Sequence, residues 1–92
     1  MEFEWDPNKA ARNIRKHAVS FEEAASVFND EYAAVYEDPE HSRSERRYLI
    51  IGQSTNARLV IVAYVDQSER IRIINARRVT RRERVLYEEE DR

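Results

Sequence analysis

Apolar residues change their spacing along this chain, and each change marks a predicted switch in secondary structure. Phe3 and Trp5 alternate with acidic residues, which predicts a short first strand, and Asp6-Pro7 reads as an N-cap followed by proline at the first helical position. A helix is predicted from about Pro7 to His17. Its buried stripe is read as Ala10, Ile14 and His17, while Lys9, Arg12 and Lys16 look outward, toward the helix end that favours positive charge. Ser20-Phe21-Glu22-Glu23 has the form of a capping box, and Phe21, Ala24, Ala25 and Phe28 follow at i, i+3, i+4 and i+7. That pattern predicts a second amphipathic helix.

From Ala33 the spacing becomes that of strands: Ala33 to Glu37, Arg46 to Gln53, Arg58 to Val65 and Arg70 to Ala76. DPEHSRS reads as a loop, and STNA and DQSE as hairpin-length turns, so consecutive strands should be antiparallel neighbours. Leu59 to Val65 carries no charge, which predicts a central strand covered on both faces. Thr80-Arg81-Arg82-Glu83 repeats the capping-box form and opens a last helix through Val85, Leu86 and Tyr87 toward a Glu-rich end read as frayed and solvated. The predicted order is β-α-α-β-β-β-β-α. It gives an α+β fold in one domain over residues 1–92: a four-stranded antiparallel meander covered by two N-terminal helices, with the C-terminal helix at an edge or on the other face.

Composition narrows the function. With 92 residues and 41% of them apolar, the chain can bury one small core. No cysteine is present, which excludes a disulfide scaffold and thiolate chemistry and makes an intracellular, cytoplasmic address the expectation. No apolar run approaches the ~20 residues of a membrane span, and acidic residues stand where a signal peptide would carry basic ones. One glycine and two prolines leave no Gly-rich phosphate loop and no flexible linker.

The net charge of -2 conceals a sorted distribution. Residues 9–17 carry +4, residues 20–40 carry -7, and residues 70–84 carry +6 from seven arginines and Glu83. Folding can therefore gather the basic stretches into one patch. Arg81 and Arg82 stand in the first turn of a predicted helix, where the macrodipole favours anions. Together with Arg77 and Arg78 at the end of a strand, they form a concentrated cationic site for phosphate or an acidic partner; the alternative is a solvated helix start whose charges pair with the acidic middle.

Proton-transfer candidates are few. Imidazole titrates near neutrality, so His17 is a candidate general acid or base, but its place in the apolar stripe also fits a packed, hydrogen-bonded structural residue. His41 falls in the polar loop and is read as exposed. With no HExxH, no cysteine and no DxD-type run, a dedicated metal site is not expected. Tyr48, Tyr64 and Tyr87 would stack bases or assist proton transfer on a basic face, or else pack with their hydroxyls at the rim; Trp5 is read as core.

The segments FEWDPNKAARNIRKHAVSFEEAASVF and IRIINARRVTRRERVLYEE, flanking a strand meander, resemble the BrnT family of type II toxin-antitoxin toxins over nearly the whole chain. The matching parts are Trp5-Asp6 with Lys9, Asn13 and Lys16-His17, then Phe21-Glu22-Glu23-Ala24, then Ala76-Arg77-Arg78 with Thr80-Arg81-Arg82-Glu83-Arg84. The family commonly has Gly where this chain has Ala18, and often Ser where it has Asn75.

The resemblance implies a small ribonuclease toxin with a RelE-like fold that arrests translation. It also implies neutralisation by a BrnA-like antitoxin, with operator DNA reached only through that partner and room for a toxin dimer within a hetero-oligomer. No cofactor is expected. RNA cleavage without a metal should use the adjacent 2′-hydroxyl as nucleophile. The candidate catalytic residues are Arg77, Arg78 and Arg81 for charge stabilisation and His17, Glu83 or Tyr87 for proton transfer; Arg82, Lys16 and Tyr48 are candidate RNA contacts. The alternative is a non-catalytic nucleic-acid- or protein-binding module.

Overall fold

The computed structural model describes residues 1–38 and 45–90. Most of the predicted loop over residues 38–44, with His41, lies outside the described residues. The elements are strand β1 (Glu2–Glu4), helix α1 (Pro7–His17), helix α2 (Phe21–Ser26) followed by a 3-10 turn (Val27–Asn29), strands β2 (Ala34–Glu37), β3 (Arg47–Gln53), β4 (Leu59–Asp66) and β5 (Arg70–Arg78), and helix α3 (Arg81–Glu90). They form an α+β fold around one five-stranded mixed sheet of order β1-β5-β4-β3-β2.

Several expectations need correction. The sheet is not a four-stranded meander, because β1 pairs in parallel with β5, Phe3 opposite Ile71. A segment this short gives little alternation to read, and its partner lies at the far end of the sequence. The amphipathic run after Ser20 is split, with α2 ending at Ser26 and the 3-10 turn carrying Val27 and Phe28 onward. The Glu-rich end continues α3 to Glu90 instead of fraying after Tyr87.

Packing follows the alternation of the strands. Val60, Val62 and Tyr64 of β4 meet Phe21, Ala24 and Val27 in the core, with Ile71, Ile73 and Ala76 from β5. An aromatic chain runs through its margin, Phe3 to Phe28 at 5.1 Å, Phe28 to Tyr64 at 4.9 Å and Tyr64 stacked on Tyr48 at 5.7 Å. Val60 through Val65 are all buried, so both faces of β4 are covered, and α3 packs against β2 and β3. The sole glycine permits a close approach: a Cβ at Gly52 would stand 2.9 Å from Val27 Cγ1.

The inward side of α1 differs from the predicted stripe. Ile14 is 50% exposed, and the buried residue is Asn13. Beyond Arg72 the outer edge of β5 has no strand neighbour among the described residues, and Asn13 takes that place. Its Oδ1 accepts from the Ala76 N–H at 3.1 Å, while Nδ2 donates to the carbonyls of Ala76 and Val19, both at 2.8 Å. A buried amide with each group partnered is favourable, and removing it would strand three backbone groups.

The end of α1 is held by charge. Ala18 adopts the left-handed conformation at φ 58°, and its N–H closes on the Ile14 carbonyl at 2.8 Å. Arg58 donates to the Ala18 carbonyl at 2.9 Å and to the buried carboxylate of Glu23, which also accepts from Ser54 at 2.6 Å. The Arg58 hydrogen bonds, against a burial that opposes them, hold the Glu23 carboxyl below its ordinary value.

Glycine adopts this backbone conformation freely, whereas alanine is strained in it. Ala18→Gly should therefore stabilise the fold by about 0.5–1 kcal/mol, raising Tm by about 2–8 °C. Thermal unfolding checks this, and a lowered Tm would contradict it.

Candidate functional site

Five residues of α1, Lys9, Arg12, Asn13, Lys16 and His17, recur at i, i+3, i+4, i+7 and i+8, so they share one helix face. Asn13 turns that face to the open edge of β5. Opposite it, Ile74, Asn75 and Arg77 come from β5, and the two sides enclose an open groove of about 520 Å³. Among the described residues the lining offers cations, amides and one imidazole, and contains no carboxylate. Lys9, Arg12 and Lys16 are exposed, and none forms an ion pair with the described residues.

His17 lines the groove half-buried, and its ring makes no hydrogen bond to any described residue. The ring is half-buried, as packing expects, but lacks the hydrogen bond of the structural reading among the described residues. The ring lines the groove with Lys16 in the last turn of the helix.

The arginine cluster divides into paired and unpaired members. The Arg77 guanidinium forms a two-pronged pair with Glu83, both hydrogen bonds at 2.8 Å, so its charge is largely neutralised. Glu83 also accepts from the Thr80 N–H at 2.8 Å, and the Thr80 hydroxyl accepts from the Glu83 N–H at 3.2 Å, completing the predicted capping box. The Arg77 hydrogen bonds, joined by those from Thr80 and opposed by burial, hold the Glu83 carboxyl down at about 2. A carboxylate so firmly ionised and so fully engaged is a poor proton carrier near neutral pH.

Strand β5 runs two residues past its predicted end, so Arg77 and Arg78 lie on the strand itself. Arg78 at its end and Arg81 and Arg82 in the first turn of α3 are exposed, without an ion pair among the described residues. They follow Arg77 directly in the chain and extend the positive charge beyond the groove.

Two other candidates lie elsewhere. The Tyr87 hydroxyl donates to Asp30 Oδ2 at 2.8 Å, near a smaller depression lined by Ser26, Asp30 and Gln53. Burial would raise the Asp30 carboxyl, but the N–H groups of Gln53 and Tyr32 and the Tyr87 hydroxyl together hold it below its ordinary value. Tyr48 pairs in register with Tyr64 and stacks on it, two strands from β5. Neither tyrosine lines the groove. Burial, with Asp66 and Tyr48 nearby, pushes the Tyr64 hydroxyl up to about 12.

Asn13 and Asn75 had no assigned role in the sequence, and Lys9 and Arg12 were read only as outward-facing. The available signal was the spacing of polar residues on α1, which has the period of a buried stripe.

The family model described as "Ribonuclease toxin, BrnT, of type II toxin-antitoxin system" matches residues 5–83. The chain belongs to the BrnT family. The match takes in the whole groove and Glu83 and stops short of Tyr87. The crystal structure of the Brucella abortus ribonuclease toxin BrnT has the same fold, with a TM-score of 0.68 at 23% identity, covering 88% of this chain and 99% of that one. Comparison with curated proteins gives no significant match. Among the described residues, no helix is long and apolar enough to cross a membrane.

The Arg77–Glu83 pair makes a pH prediction. The unfolded carboxyl titrates near 4.5 and the folded one at about 2. The pair's contribution is therefore complete above 4.5 and lost as pH falls to about 2. Glu83→Gln should cost about 1–2 kcal/mol at pH 7, with the gap to the unmodified chain closing toward pH 2. Denaturant unfolding at pH 7, 4 and 2.5 measures it, and a gap independent of pH would contradict the assignment.

Proposed function

We propose that this chain is a metal-independent endoribonuclease toxin that cleaves RNA in the groove between α1 and β5. The observation that carries the reading is a cation-lined groove around an imidazole with no partner among the described residues. The family description supports it.

The substrate class follows from the lining. Lys9, Arg12 and Lys16 attract phosphates, and a volume of about 520 Å³ accommodates a nucleotide. Without a carboxylate, the lining suits a phosphodiester better than a divalent cation. RNA carries its own nucleophile, so the protein's tasks are positioning, proton transfer and charge stabilisation. His17 takes the proton of the 2′-hydroxyl as that oxygen bonds to phosphorus. The bond to the 5′-oxygen breaks, the departing oxygen takes a proton from solvent in the open groove, and a 2′,3′-cyclic phosphate remains. Lys16 and Arg12 stabilise the charge on the phosphorane.

Glu83 serves here as a positioning group, fixing Arg77 on the groove floor and the first turn of α3 beside it. Arg78, Arg81 and Arg82 grip RNA leaving the groove. Tyr87 and Tyr48 take no part, because each ring is engaged away from the groove. The biological reading is translation arrest in the cytoplasm, relieved by a BrnA-like antitoxin that supplies operator binding.

Purified protein should cleave single-stranded RNA in excess EDTA and leave cyclic phosphate ends. His17→Ala should lower the rate about 10²–10⁴-fold, and Lys16→Ala should weaken binding and reduce the salt slope by about one. Cleavage kinetics and salt titrations test both. Full activity in His17→Ala would remove His17 from the mechanism; activity abolished by EDTA and restored by a divalent metal would remove metal independence.

A further inference from the structure

We infer that Asn75 selects the nucleobase beside the cleaved phosphodiester and favours adenine, an inference that rests on the ribonuclease reading above. The cations of α1 hold phosphates, which are alike at every nucleotide and carry no sequence information. Discrimination between bases needs a directional donor and acceptor. Two carboxamides line the groove, Asn13 and Asn75. Asn13 is spent, its oxygen on the Ala76 N–H and its amino group on the carbonyls of Val19 and Ala76. The Asn75 side chain is exposed and forms no hydrogen bond with any described residue.

Asn75 reaches the groove through a defect in the sheet. Pairing between β4 and β5 steps from Ala63 opposite Asn75 to Tyr64 opposite Ile73, leaving Ile74 as an extra residue. Without it, strict alternation from Ile73 would turn Asn75 into the core. With it, Ile73 and Ala76 both remain buried, while Asn75 joins Arg77 on the groove side. Bulges re-aim side chains in this way beside functional sites. Ile74, half-buried in the same lining, supplies an apolar ledge for the plane of a base.

A carboxamide presents an acceptor and a donor side by side. Adenine offers the complementary amino group and ring nitrogen on both its Watson–Crick and Hoogsteen edges, each accessible in single-stranded RNA. Guanine pairs a donor with an acceptor on its Watson–Crick edge and again at its N2 amino group and N3 but offers only acceptors on its Hoogsteen edge, and the pyrimidines present such a pair on a single edge and cover less of Ile74. Adenine should be favoured by at least about 5-fold, the lower bound of bidentate discrimination.

The test uses short oligoribonucleotides differing at one position flanking the scissile linkage, with A, C, G or U there. A 2′-deoxy version of each blocks cleavage and reports binding by fluorescence anisotropy; the unmodified version reports cleavage. The unmodified protein should prefer the A oligonucleotide by at least about 5-fold. Asn75→Ala and Asn75→Asp, with unchanged thermal unfolding, should bring the A-to-U ratio to within about two-fold of unity. Binding that prefers A and responds to Asn75, with no cleavage, would support base selection and sink the ribonuclease reading. Cleavage without adenine preference, or a preference intact in Asn75→Ala, would overturn base selection and leave the ribonuclease reading standing. Absence of binding to every oligonucleotide would overturn this inference.

Discussion

One buried carboxamide joins the first helix to the open edge of the sheet. Strand β1 covers β5 only from Arg70 to Arg72, so the rest of that edge presents backbone groups that need partners. Asn13 supplies both an acceptor and a donor to Ala76, much as another strand would, and its second amino hydrogen holds the Val19 carbonyl beyond the helix end. Geometry follows from this anchor. With Asn13 facing the sheet, Lys9, Arg12, Lys16 and His17 stand along one wall, and the outward residues of β5 form the floor. The groove is the space left because a helix replaces a strand.

Arginine performs two kinds of work in this chain. Arg58 binds Glu23 and the Ala18 carbonyl, fixing α2 and the end of α1 to the β3–β4 turn. Arg77 binds Glu83 and sets the start of α3 against the last strand. Each is a partly shielded pair with several hydrogen bonds, the arrangement in which an ion pair gains most from geometry. Lys16, Arg78, Arg81 and Arg82 remain open to an anion. The positive potential of the groove therefore comes mainly from α1, and the arginines after β5 extend it along the surface.

Much of the fold was legible because local rules and tertiary structure agree in it. Asp6-Pro7, Ser20 with Glu23, and Thr80 with Glu83 each marked a helix start at the observed place, and the uncharged run of Leu59 to Val65 became the doubly covered strand. The parallel pairing of β1 was not legible, since neither Phe3 nor Ile71 carries a signal for its distant partner. Ile14 was misplaced for a related reason: apolar periodicity puts it inside, whereas the open strand edge calls for a hydrogen-bonding group, and Asn13 is buried there instead. The same charge count concealed that Arg77 is neutralised by Glu83, six residues away on the next element. The place of His17 in the groove became legible only once the helix face it shares with Lys16 was fixed.

The central claim is that RNA lies between α1 and β5. The most direct measurement is an NMR titration of isotope-labelled protein with an oligoribonucleotide made uncleavable by a 2′-deoxy substitution at the scissile position. The account predicts the largest amide shift changes over residues 9–17 and 74–77, with Asp30, Gln53 and Tyr87 little affected. Changes centred on Asp30, Gln53 and Tyr87, with residues 9–17 unmoved, would contradict it.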